Sequence, residues 1–100
     1  MKDNNLIWDE PIADENLDKV VYDDETIYYY KNNRSHRQNG PAGIYPNGEK
    51  IWCQNGLCHR LDGPAHEFVN GYKYWYYKGE RIDCSSQQEF EKLLKLKAFW

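Results

Sequence analysis

The sequence predicts a mainly β protein: an antiparallel meander of hairpin units about 23 residues long, closed by a C-terminal α-helix. Three observations carry this. The chain aligns with itself at a fixed offset, two-residue glycine turns separate alternating apolar stretches, and the last segment switches to helical spacing.

The offset is seen by laying IYYYKNNRSHRQNGPAGIYPNGEK, from Ile27, over KIWCQNGLCHRLDGPAHEFVNGYK, from Lys50. His36 falls on His59, Arg37 on Arg60, Gly40 on Gly63, Pro41 on Pro64 and Ala42 on Ala65, and Asn47-Gly48 falls on Asn70-Gly71. Val21-Tyr22 precede the first unit as Ile44-Tyr45 precede the second, and Tyr74-Trp75 with Gly79 open a third that then diverges. Units that cannot bury their own apolar face must stack on neighbours, and terminal units degenerate into caps.

Asn-Gly between apolar alternations favours a type I′ turn, so Asn47-Gly48, Asn55-Gly56 and Asn70-Gly71 are expected to be such turns, with Lys78-Gly79 a weaker version. Strands are expected near residues 20–23, 26–31, 42–46, 49–54, 57–59, 65–69, 72–77 and 80–82. Alternation then places Tyr29, Trp52 and Trp75 in one column and turns Tyr28, Ile51 and Tyr74 to the opposite face.

The segment SSQQEFEKLLKLKAFW supplies the helix. Ser85 or Ser86 caps its start with Gln88 or Glu89 three residues on, and Phe90, Leu93, Leu94 and Lys97 follow its spacing. The organisation is therefore an acidic N-terminal arm (1–19), a β-repeat sheet (20–84) and a helix packed on the sheet (85–100), within one domain. One helix covers one face. The other is left to the N-terminal arm (Leu6, Ile7, Trp8, Ile12), a second copy or a partner.

One hundred residues suit a single modest core, here built from nine Tyr, four Trp and three Phe. No apolar run approaches the roughly 18 residues of a membrane helix, and the N-terminus is acidic where a secretion signal would be basic. Cys53, Cys58 and Cys84 form an odd set without CxxC spacing, which points to a reducing cytoplasm rather than a disulfide framework or a structural zinc site. The net charge of −3 conceals an asymmetry: nine acids and two bases in residues 1–25 give −7, leaving +4 for the remainder. Self-association of that arm with the basic remainder, or simple solvation, outweighs mimicry of an anionic partner.

The repeated His-Arg pairs are the sharpest polar feature. With Asn39 or Asp62 before Gly-Pro they read first as a turn scaffold, in which Asp62 pairs with Arg60 or accepts backbone N–H groups. The competing reading is a cationic ladder of His36, Arg37, His59 and Arg60 binding phosphate or an acidic partner, with Tyr29, Trp52 and Trp75 as stacking surfaces. A pI near 5.5 weighs against nucleic acid. Cys53 and Cys58 stand opposite each other across Asn55-Gly56, but the matching positions in other units are Tyr30 with Ser35 and Tyr76 with Arg81. No unit therefore requires a metal ligand there, and a disulfide formed on oxidation is the better reading. There is no phosphate loop, nucleophile elbow or supported carboxylate pair, so no catalytic residue and no cofactor is assigned.

With NGxxHRxDGPA in view, residues 20 to 82 resemble MORN-type repeats, which share the length and place an aromatic strand before a glycine turn. They depart from that pattern by carrying His-Arg-x-Asp/Asn-Gly-Pro-Ala where glycine usually follows, a variant similar to repeats of small proteins of tailed bacteriophages, including those of T-even type. The resemblance implies a non-enzymatic accessory effector that binds and inhibits a bacterial host or defence protein in the host cytoplasm. A nucleic-acid or phosphorylated-ligand binder and an antitoxin-like binding protein are the alternatives, and a homo-oligomer is compatible with each.

Overall fold

A computed structural model of the chain describes residues 16–97. Among them lie β1 (Asp18–Val21), β2 (Ile27–Lys31), β3 (Arg34–Ser35), β4 (Gly43–Ile44), β5 (Lys50–Ile51), β6 (Cys53–Gln54), β7 (Leu57–Cys58), β8 (His66–Glu67), β9 (Lys73–Tyr77), β10 (Glu80–Ile82) and α1 (Gln87–Lys97). The expectations for Leu6, Ile7, Trp8 and Ile12 lie outside the described residues.

Every strand pairing is antiparallel. The main sheet runs β1-β2-β4-β5-β8-β9-β10, β3 pairs with β2 off this path, and β6-β7 form a ladder of their own. The protein is thus a mainly β meander with one C-terminal helix. Register fixes the faces: Tyr28 opposes Gly43, Gly43 opposes Ile51, Ile51 opposes His66 and His66 opposes Tyr74, placing these five on one side. Tyr29, Trp52 and Trp75 alternate to the other.

The expected strand at 49–54 is two strands, because its halves have different partners. β5 lies between β4 and β8, whereas β6 turns back on β7. At the junction the Trp52 N–H donates to the Ala65 carbonyl and the Trp52 carbonyl accepts from His59 N–H. Tyr29 does the same with Ala42 and His36. Strand β3 has no counterpart among the expected strands, because its turn carries Asn32-Asn33 and no glycine. Both residues have positive φ, 52° and 65°, a region that asparagine tolerates.

Turn type divides the Asn-Gly pairs. Asn55-Gly56 (φ 54° and 82°) and Lys78-Gly79 (50° and 86°) have both central residues in the left-handed region, as type I′ requires. Asn47-Gly48 and Asn70-Gly71 do not, which corrects the expectation of type I′ there. Only the glycines have positive φ; Gly48 N–H donates to Tyr45 O and Tyr45 N–H to Glu49 O, while Gly71 and Phe68 donate likewise to Phe68 O and Tyr72 O. This is a type I turn followed by a left-handed residue. Asparagine is there for its side chain: Asn47 Oδ1 accepts Glu49 N–H at 2.9 Å and Asn70 Oδ1 accepts Tyr72 N–H at 3.1 Å.

The same turn occurs at Tyr22–Thr26, with Asp24 Oδ1 accepting Thr26 N–H at 2.9 Å and holding the Asp24 carboxyl below its ordinary value. There Glu25 takes the left-handed position at φ 74°. Replacing Glu25 with glycine is expected to stabilise the protein by up to about 1 kcal/mol, read as a higher denaturation midpoint. A lowered midpoint would show that the Glu25 side chain contributes more than its backbone costs.

Helix α1 begins at a capping arrangement in which Ser86 Oγ accepts Glu89 N–H (3.1 Å) and Glu89 Oε1 accepts Ser85 N–H (2.9 Å). Its Phe90 is fully buried, and Gln87 Oε1 accepts the indole N–H of Trp75 at 2.8 Å. The helix therefore closes the Tyr29–Trp52–Trp75 face at its third aromatic. Among the described residues the buried apolar set is small, Ala42, Cys53, Ala65, Trp75 and Phe90, and is supplemented by buried Thr26, His36, Asn55 and His59. A core so short of aliphatic volume depends on satisfied polar groups.

Candidate functional site

The His-Arg ladder is built from backbone outward. After the type I′ hairpins at Asn32-Asn33 and Asn55-Gly56 the returning strand brings a histidine beneath the next hairpin of the sheet. His36 Nδ1 accepts Asn55 N–H at 3.1 Å, and His59 Nδ1 accepts Lys78 N–H at 2.8 Å. The recipients are the first left-handed residues of those turns, and the N–H of buried Asn55 would otherwise lack an acceptor. Acceptance at Nδ1 puts the neutral proton of each ring on Nε2. Burial, with the Lys78 ammonium nearby, lowers the His59 pKa to about 4.

Each arginine lies over the aromatic ring of its own unit. Arg37 Cζ is 4.2 Å from the Tyr29 ring centre and Arg60 Cζ is 3.8 Å from that of Trp52. Nη1 then reaches the proline carbonyl four residues on, Pro41 O at 3.3 Å and Pro64 O at 3.1 Å. Arg60 is held more firmly, because Nε donates to Asp62 at 3.0 Å and Nη1 also meets Glu67 at 3.3 Å. The corresponding residues beside Arg37 are Asn39 and Ile44. In the third unit the His-Arg positions are Ile82 and Asp83, and Trp75 is met instead at its indole N–H by Gln87 of α1.

This explains Gly40 and Gly63 differently from a need for special backbone. Neither has positive φ; a Cβ on Gly63 would lie 2.6 Å from Arg60 Cζ, and one on Gly40 would lie 3.1 Å from Arg37 Cζ. A side chain at Gly63 would have to displace the Arg60 guanidinium, whereas at Gly40 that of Arg37 need give by only a few tenths of an ångström. Gly63→Ala is expected to cost about 1 to 2 kcal/mol by displacing an arginine with several partners, and Gly40→Ala less. Paired denaturation curves check this, and equal losses for the two would contradict it.

Between the first His-Arg loop (Gln38 to Pro41) and the second lies an open groove of about 820 Å³, lined also by Trp52, Gln54, His59, Arg60, Tyr77 and Lys78. Its guanidinium is already bonded within the protein. Among the described residues no group of three or more His, Cys, Asp and Glu is placed to hold a metal ion, and no helix is long and apolar enough to cross a membrane.

The opposite face carries a second, aromatic surface. Tyr28 stacks on Tyr30 (6.0 Å) and meets Tyr22 and Tyr45 edge-on, with paired hydroxyls at 2.7 Å for Tyr22–Tyr30 and for Tyr28–Tyr45. Farther along, Phe68 lies against His66 (3.9 Å) and Tyr74 (5.5 Å), and Arg81 covers Tyr74 at 4.2 Å. His66 Nε2 is 2.6 Å from Glu49 Oε2. The turns Tyr22–Thr26, Tyr45–Glu49 and Phe68–Tyr72 emerge at one end of this face, where Tyr22, Val69 and Tyr72 are exposed, the last two by 66% and 63%. The signal for it was present: Tyr22, Tyr45 and Phe68 recur at the repeat spacing.

No family model matches the chain, and no match to a curated protein or to a solved structure was found.

Proposed function

We propose that the chain is a non-enzymatic protein-binding module that presents its tyrosine-rich face and the adjoining turn end to a protein partner. Following the repeat resemblance, the partner is a bacterial host or defence protein that a bacteriophage accessory effector would restrain. The observation that carries the reading is the division of labour between the faces. Arginine and histidine on one side are bonded within their own and neighbouring units, whereas the other side ends in exposed Tyr22, Val69 and Tyr72 beside half-buried Tyr28, Tyr45, Phe68 and Tyr74. Tyrosine suits such a surface, since it buries large area with few rotatable bonds and retains a hydroxyl for the rim.

Capture from bacterial lysate on the immobilised protein, with and without nuclease, tests this. A stoichiometric protein retained after nuclease is the expected result. Loss of all captured protein with the nucleic acid would favour the nucleic-acid reading instead.

A further inference from the structure

We propose that Cys53 and Cys58 form a dithiol exchange site that reduces a small open-chain disulfide and closes to a cross-strand disulfide of its own. The proposal does not depend on the identity of the binding partner.

The hairpin geometry carries it. Gln54 and Leu57 close the Asn55-Gly56 turn, and Cys53 opposes Cys58 at the next position. At that position the backbone groups point away from the hairpin: Cys53 O accepts Arg37 N–H (3.0 Å) and Cys58 O accepts Gly79 N–H (2.8 Å). The two cysteines are therefore a non-hydrogen-bonded pair. Such pairs have Cα atoms about 4.5 Å apart, inside the roughly 4.4 to 6.8 Å that a disulfide spans. The equivalent pairs are Tyr30 with Ser35 and Tyr76 with Arg81, so the repeat does not itself demand two thiols here.

The roles of the two sulfurs differ. Cys53 is buried, and its thiol is hydrogen-bonded to Cys58; that bond and burial push the Cys53 pKa upward. Cys58 is partly exposed and gains the same bond as an acceptor, which lowers its pKa to about 7. Cys58 is thus the attacking thiolate and Cys53 the resolving thiol. In the first step Cys58 Sγ attacks one sulfur of RS–SR, the S–S bond breaks, and one RS⁻ departs and takes a proton from water. In the second, Cys53 gives up its proton and attacks Cys58 Sγ, expelling the second RS⁻, which is protonated. The protein pair loses two electrons and two protons, and the small disulfide becomes two thiols. Cys84 opposes no cysteine and has its pKa raised by burial and by Glu89, so it takes no part.

The test treats the full chain with oxidised glutathione near neutral pH and maps the products by peptide mass. The expected product is a Cys53–Cys58 bridge lacking two hydrogens, with Cys84 still reactive toward a thiol reagent. In Cys53→Ser a glutathione adduct should accumulate on Cys58, and in Cys58→Ser the rate of adduct formation on Cys53 should fall about tenfold or more. Two reactive thiols at 53 and 58 after treatment of the unaltered protein would overturn the proposal, as would a bridge that includes Cys84. The mapping on the unaltered chain decides even if a variant fails to fold.

Discussion

Replacing His36 with alanine is expected to lower stability by about 3 kcal/mol. The ring is fully buried against the Asn55 turn, so its removal leaves a cavity there, at a cost of roughly 2 kcal/mol or more. It also removes the acceptor of the Asn55 N–H in a buried turn residue held at φ 54°, adding about 1 kcal/mol or more for an unsatisfied donor. His36→Asn, whose Oδ1 can stand in for Nδ1, should recover part of the loss. Chemical denaturation of the three proteins is the check, and a loss below about 1 kcal/mol for alanine would show that the ring is a filler without a structural bond.

The second large effect is acid sensitivity. His59 has a folded-state pKa near 4, below its ordinary 6.5, because burial and Lys78 disfavour the imidazolium. The unfolded chain therefore binds more protons than the folded one between these values. The contribution is fully present above pH 6.5 and is lost progressively as pH falls from 6.5 towards 4, amounting to about 3 kcal/mol at the acid end. Asp24 acts in the same direction only below its ordinary carboxylate value of 3.8, so the two effects separate along the pH axis. Denaturation midpoints from pH 4 to 7.5 should show the slope, and His59→Asn should flatten it. An unchanged slope in that variant would assign the acid limb to other groups.

Much of the fold was legible because the evidence for it is local. Glycine and asparagine mark reversals, alternation marks faces, and the Ser86–Glu89 cap marks the helix start, so each feature can be read from a few neighbouring residues. The omissions have physical causes. Asn32-Asn33 makes a type I′ turn without glycine, and Asn47 and Asn70 act through a side-chain oxygen that is indistinguishable in sequence from a positive φ. Trp52 lies where two ladders diverge, a boundary set by partners distant in sequence. The ladder residues were identifiable as a repeated unit, but whether Arg37 and Arg60 point outward depends on Tyr29, Trp52 and the proline carbonyls, which only the packed sheet brings within reach. A single helix already left one face open to an arm, a second copy or a partner, but which aromatic residues gather at its turn end depends on the type I turns at Tyr45–Glu49 and Phe68–Tyr72, which Asn-Gly alone does not separate from type I′ turns.

The claim that the ladder is scaffold and the tyrosine-rich end is contact surface is tested most directly by measuring stability and partner capture together. Arg37→Ala and Arg60→Ala are expected to lower stability by about 0.5 to 2 kcal/mol while the folded fraction still retains the partner. The double change Val69→Lys and Tyr72→Lys, at exposed side chains, should leave the denaturation midpoint nearly unchanged and weaken capture about tenfold or more. Arginine variants that melt normally yet no longer hold the partner, with the lysine variant binding undiminished, would contradict the account and make the ladder the interaction surface.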